Sequence, residues 1–332
     1  MADRVPLTPT TLRVLALLGV FVVTVAFFAV VIPDYLTPRL FNRVSTSVAI
    51  VALIAVGQAF VVLTRNIDLS IGSVVGCVAF VLGNVAMGWP EIPPVLLVAI
   101  GVVIGGVFGA VNGLLVAWLR LPSIIVTLAT LAIFRSVLVE FSTGRSVSTG
   151  ALPEWLPGFA QANAVELGGF QLRWMVVMTL IVVAVAHVFL TKLRAGRQFF
   201  AVGSNPDAAV FAGISLQRTV FMAFVISGAL AGLAGFMFLS RFGNITVVAG
   251  LGFELKSVGA VVVGGVNIFG GSGSVLGVLL GATLIDLIDT SLVRWELVSE
   301  FWREAVLGLL ILGAVVLDTV LSRRLLRKRM RE

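Results

Sequence analysis

A chain of 332 residues that is 59% apolar before glycine is counted, and only 12% charged, is not an ordinary soluble domain. There the apolar share with glycine is about 45–50% and the charged share about 25%. The net charge of +7 does not call for nucleic acid, because much of it is the terminal run RRLLRKRMR (323–331), and arginines clustered beside a membrane span set its orientation and meet anionic lipid headgroups.

A membrane helix needs about 20 largely apolar residues, so the chain has room for roughly eight to eleven spans. The first apolar run, Val14 to Ile32, is preceded by Arg4 and Arg13. It is long for a signal peptide and lacks a small-x-small cleavage site, so it is read as a span. A polar, proline-broken connection (33–47) leads to spans at 46–64, 70–88, 95–118 and 123–141, punctuated by LTRNIDLSIGS, WPEIPP and RLP. A long outer loop (142–172) precedes a span at 174–190, and a second polar segment (191–217) precedes one at 218–240. A short eighth span is expected at 254–266, then the glycine cluster GGVNIFGGSGS, then spans at 275–290 and 304–321. Residues 1–332 are read as a single transmembrane domain, all-α, with about ten spans.

Charge sets the orientation. With the N-terminus in the cytoplasm, that side holds Arg4, Arg13, Arg65, Arg120, Lys192, Arg194, Arg197, Arg218 and the six basic residues of the C-terminal tail, against about eight outside. This favours both termini inside.

Polar groups between such spans ask for a reason, since an ionisable group at membrane depth costs about 2.5–3.5 kcal/mol on insertion scales. Arg65, Asn66, Asp68 and Ser70 have two readings: a broken-helix segment lining a polar pathway, or a cytoplasmic turn in which Asp68 caps the third span. NIDLSIGSVVG (66–76) matches NIFGGSGSVLG (267–277) at six of eleven positions. Transporter repeats often break near the substrate path, which adds Asn267 and Phe269 to the pathway candidates. Arg135, deep in the fifth span, is another. Asp286 and Asp289, near the outer end of the ninth span, are expected at a water-exposed helix end rather than in an ion relay, and Glu140 likewise.

Within 191–217, Asn205, Pro206 and Asp207 read as cap, first helical position and acidic first turn. The helix runs on through Ala208, Ala209 and Phe211 to Gly213. Its exposed Val210 and Phe211 point to a docking partner, with a lipid-surface helix as the alternative. Cys77, the single cysteine, is expected to be a buried small apolar residue. His187 is the single histidine, so no histidine metal site is expected. There is no G-x-x-x-x-G-K-[ST], no metal motif and no nucleophile–base pair. Neither a cofactor nor catalysis is expected.

LTRNIDLSIGS (63–73), NGLLVAWLRLPSIIVTLATL (112–131), GRQFFAVGSNPDAAVFAGI (196–214) and VVGGVNIFGGSGSVLGVLLGA (262–282) together resemble the permease subunits of bacterial ABC importers for ribose, xylose, rhamnose and related monosaccharides. The resemblance spans nearly the whole chain. Where that family commonly has two glycines, this chain has Arg65 and Asn66, and LTRNID is more similar to the rhamnose and autoinducer-2 permeases. The resemblance implies a type II importer fold like that of the cobalamin importer, in the bacterial inner membrane. It implies a second permease copy or paralogue, cytoplasmic P-loop ATPase subunits, and a periplasmic or lipid-anchored sugar-binding protein. It also places Gly196, Asn205, Ala208, Ala209 and Gly213 at the ATPase contact. The rival expectation is an ion- or proton-coupled carrier using Arg65, Asp68, Asp286 and Asp289, which would have no need of the 191–217 segment.

Overall fold

The computed structural model describes residues 9–295, 302–313 and 316. In chain order the helices are α1 (Pro9–Val31), α2 (Pro38–Leu63), α3 (Ile71–Gly88), α4 (Pro94–Ala117), α5 (Ser123–Ser142) and α6 (Trp155–Gln161). A two-stranded antiparallel hairpin follows, β1 (Asn163–Leu167) and β2 (Phe170–Arg173). Then come α7 (Trp174–Lys192), α8 (Arg194–Ser204), α9 (Pro206–Phe211), α10 (Leu216–Phe242), α11 (Phe253–Val263) and α12 (Val275–Arg294). Residues 303–313 are also helical.

Eight helices among the described residues are long and apolar enough to cross a membrane. Three expectations are corrected. α2 begins at Pro38 rather than inside a proline-broken loop, because Thr37 accepts the Leu40 N–H as N-cap and Pro38 takes a first-turn position. The eighth span is the 11-residue α11, about 16 Å long and so about half a bilayer core; Glu254 and Lys256 sit in its first turns. The segment 142–172 is not plain loop. It holds α6 and the hairpin, whose turn residues Gly168 and Gly169 both have positive φ, as tight two-residue hairpin turns require. The far end of the span expected at 304–321 lies outside the described residues.

α2 is the hub: 94% of its apolar window is buried inside the protein, against 11% for α1. α4 and α10 cross with backbones in contact. Gly101, Gly105 and Gly109 recur every four residues on α4, and a Cβ on Gly105 would run into the backbone of Gly228 and Gly232. Small residues at fourfold spacing permit this approach in membrane helices. The bundle has two ends. At the hairpin end, Asn42 of α2 bonds the Gly169 carbonyl and the Gln171 N–H. At the other, the α8 end, α2, α7 and α10 meet α8.

Candidate functional site

The segment after α2 does not turn straight into α3. α2 closes with Arg65 N–H on Val62 O and Asn66 N–H on Val61 O, a Schellman ending that puts Arg65 in the left-handed region at φ 67°. The chain then runs back along α2 in extended form. With its amide turned to match, Gln58 donates to the Asp68 carbonyl (3.1 Å) and accepts from the Asp68 N–H (3.2 Å). Asp68 is thereby held at the level of a residue about 7 Å back from the end of α2.

Side chains satisfy the backbone of Ile67 and Asp68 on this path. Ile67 N–H donates to Ser123 Oγ (3.2 Å), and Thr127 Oγ1 donates to the Ile67 carbonyl (3.2 Å). Asp68 Oδ1 accepts from the Ser70 N–H (2.9 Å) and hydroxyl (2.7 Å), and Asn112 Nδ2 donates to Ser70 Oγ (2.7 Å). Asp68 and Ser70 are buried. Non-helical backbone at membrane depth is tolerated where protein satisfies it, as the side chains of Gln58, Ser123 and Thr127 do for Ile67 and Asp68. The N-cap of α3 is Ser70, not Asp68.

The loop between α10 and α11 lies on the first turns of α3. A Cβ on Gly76 would strike the Ala249 carbonyl, and one on Gly72 would strike the Gly250 carbonyl and the Glu254 carboxylate. Arg135 fixes this loop, donating through Nη1 to the carbonyls of Val247 (2.8 Å) and Ala249 (2.7 Å).

Two cavities lie toward the two ends of the bundle, and the first reaches this seam at Ala249 and Gly250. The one at the hairpin end, about 390 Å³, is bounded by Phe238, Phe242, Phe253, Arg241, Lys256 and Asp289 among others. Asp289 bonds Lys256 Nζ (2.6 Å) and Arg303 Nη2 (2.7 Å). Asp286 accepts from Ser47 Oγ (2.8 Å). Both aspartates are buried, so the water-exposed helix end expected there is corrected: α11 and Arg303 cover it. The cavity at the α8 end, about 650 Å³, includes Arg65, Asn66, Arg120, Ser123 and Gln217 in its wall.

Arg65 ties the connector to the 191–217 segment. Its Nε donates to Gly203 O (2.6 Å) and its Nη2 to Ser204 O (2.8 Å), the last carbonyls of α8, where a cation is favoured. The second glycine segment joins at the same point, with Gly271 N–H on Leu63 O (3.1 Å). A Cβ on Gly203 would run into both Leu63 O and Gly271 N. Asn267 forms an Asx turn, accepting the Phe269 N–H at 3.0 Å, and Phe269 is exposed. The second echoing segment therefore packs on Leu63 and Arg65, just before the first, and the two differ in form: 66–70 is extended, 267–272 a compact turn.

The expected short helix is α9, with Asn205 Oδ1 accepting the Ala208 N–H (3.0 Å), Pro206 in its first turn and Asp207 beside it. Gly213 follows at φ 77°. Ala209 is buried, while Val210 and Phe211 stand out at 53% and 92% exposure. Gly196 lets the start of α8 pack on the Phe189 carbonyl and Leu190. Sequence reasoning missed α8, the joint at Gly203 and Ser204, and the roles of Gln58 and Asn112. Two buried amides on apolar faces were the available signal.

The family model for branched-chain amino acid transport system / permease components matches residues 40–315. The autoinducer 2 import system permease protein LsrC of Enterobacter sp. (strain 638) is 36% identical over 313 residues, 93% of this chain and 88% of that protein. The protein of the same name from Klebsiella pneumoniae is 36% identical over 316 residues, with the same coverage. That from Escherichia coli (strain K12 / DH10B) is 34% identical over 287 residues, 86% of this chain and 80% of the relative. No solved structure matches the chain significantly. A multi-pass chain that matches the family model over most of its length and these permeases at about a third identity belongs to the family of branched-chain amino acid transport system / permease components.

Proposed function

We propose that this chain is the membrane subunit of an ATP-driven importer that carries autoinducer 2, or a related monosaccharide or small polyol, into the cytoplasm. Cytoplasmic P-loop ATPase subunits would supply the energy, a sugar-binding protein would deliver the ligand, and a second permease copy or paralogue would complete the membrane unit. The α8 end faces the cytoplasm on this reading, since Arg65, Arg120, Lys192, Arg194, Arg197 and Arg218 lie in the segments at that end.

The carrying observation is the Arg65 joint. α9 offers Val210 and Phe211 to a partner, and α8 links α9 to the extended connector through two charge-assisted hydrogen bonds. Closure of an ATPase dimer against α9 would move α8, and α8 would move residues 64–70. The connector supports the Gly72–Gly250 seam, which the hairpin-end cavity reaches at Gly250. A shift there exchanges which cavity is open. Asn66 stands on the wall of one cavity and Arg135 latches the loop that floors the other. Asp68 and Ser70 brace the segment between them.

The hairpin-end cavity suits a hydroxyl-rich ligand. Asp289 holds Lys256 and Arg303, and Arg241 stands beside them, so a polyol meets charged donors and three aromatic rings. Reconstitution with the ATPase and binding protein tests the proposal. The expected result is uptake that needs ATP and is lost in Asn205→Pro while the chain stays folded. The carrier alternative draws on the buried Asp286, whose Oδ2 has no hydrogen-bond partner among the described residues. Uptake by the chain alone in liposomes, driven by an ion gradient without ATP, would establish that alternative and end this one.

A further inference from the structure

Between α1, the first half of α2, α7 and α12 runs a groove of about 560 Å³, walled by Phe21, Val25, Val44, Val48, Leu280 and Leu287 among others. It has almost no hydrogen bonds to give. Thr179 donates to the Ala49 carbonyl (3.0 Å) and Thr283 to the Leu279 carbonyl (2.8 Å). The Tyr35 hydroxyl is paired with Ser291 at 2.6 Å. Burial pushes that phenol above its usual range, although the Ser291 bond and Arg294 pull it down, so it stays a neutral, engaged group.

At Thr37 and Leu40, which line both, the groove opens into a second cavity of about 710 Å³ at the hairpin end. The chemistry there reverses. Arg39, Arg43 and Arg294 surround it with one carboxylate residue, Asp34. Arg294 spends its guanidinium on the carbonyls of Pro33 and Asp34. Arg39 and Arg43 are exposed, and neither guanidinium has an acceptor among the described residues.

We propose that the two cavities form one binding site for an anionic phospholipid, with an acyl chain in the groove and the headgroup phosphate between Arg39 and Arg43. A sugar would lose its water in the groove and find no replacement bonds. A helix of a second copy would fill the apolar part and leave two guanidiniums unanswered. An amphiphile with a negative head answers both halves, because chain burial gains with each methylene and each arginine near the membrane surface favours an anionic lipid. The site is independent of what the protein transports.

The test is native mass spectrometry of the full chain in mild detergent, titrated with phosphatidylglycerol and phosphatidylcholine of matched chains. The wild type should prefer phosphatidylglycerol, and R39Q/R43Q should lower that preference roughly thirtyfold. Leu280→Trp, which fills the groove, should lose both lipids, and millimolar inorganic phosphate should displace neither from the wild type. An unchanged preference in R39Q/R43Q, a surface variant that leaves the core intact, overturns the proposal, as does displacement by free phosphate. Val44→Cys gives a second decision, since the native Cys77 is buried. Efficient cross-linking between copies through that cysteine in native membranes would assign the groove to a second chain instead.

Discussion

The two ends of the bundle treat charge in opposite ways. At the α8 end, Arg65 has no carboxylate partner among the described residues; its guanidinium is bolted to two backbone carbonyls 138 and 139 residues away. At the hairpin end, Asp289 sits between Lys256 and Arg303 beside open volume. A guanidinium on fixed carbonyls transmits displacement between two segments. A carboxylate shared by two flexible cations holds both at the wall of a chamber and leaves room in it. The difference teaches that charge near a membrane protein's core serves as a mechanical tie in one place and as a ligand-compatible lining in another.

The comparison breaks most visibly at Asp289. Asp289→Ala leaves two partly buried cations without their carboxylate, and removing one member of a buried ion pair costs about 3–5 kcal/mol. Thermal unfolding in detergent should show it, and adding Lys256→Met should recover part of the loss. A midpoint within error of wild type would mean that the chamber does not depend on this pairing.

At the other end the effect should be smaller and of a different kind. Arg65→Ala removes two charge-assisted bonds, about 2 kcal/mol in total at this partly exposed position, and keeps a Cβ in left-handed backbone. Arg65→Gly loses the same bonds but relieves that backbone, so it should be about 1 kcal/mol more stable than Arg65→Ala. Both should uncouple ATP hydrolysis from uptake in the reconstituted importer. If Arg65→Gly transports as the wild type does, the tie carries no motion. Asn205→Ala comes next, at about 1 kcal/mol for a lost N-cap. It should appear as faster amide exchange over 206–212 with little change elsewhere.

How much of this was legible in the sequence follows from which interactions are local. Long apolar runs fixed by lipid thickness were readable, as was the α9 cap, whose residues are adjacent in sequence. The half-length of α11 was misjudged because 254–266 is apolar on average, although its charges fall within the first turn. Asp286 and Asp289 looked like a helix end because the residues that bury them belong to α2, α11 and the segment around Arg303. The hairpin lay hidden in a segment read only as polar. The fate of Arg65 was not legible, since nothing local distinguishes an arginine lining a path from one bonded to carbonyls of a distant helix. The unusual pair at 65–66, where the resembling family commonly has glycines, was the nearest signal. It marks the left-handed residue that the helix ending demands.

The smallest effect on stability should carry the largest effect on assembly. Phe211 is 92% exposed, so Phe211→Ala removes almost no intramolecular packing and should change stability by less than about 0.5 kcal/mol. An exposed aromatic ring at the tip of a rigidly capped helix is nevertheless the kind of side chain that anchors an interface. If α9 is the docking element, co-purification of the ATPase should fall at least tenfold in Phe211→Ala, and amide exchange across the connector should stay as in the wild type. Arg65→Ala should give the converse: ATPase still bound, connector loosened, transport uncoupled. A Phe211→Ala variant that binds its ATPase normally would locate the contact elsewhere on the α8 end, and the Arg65 joint would then have no lever to follow.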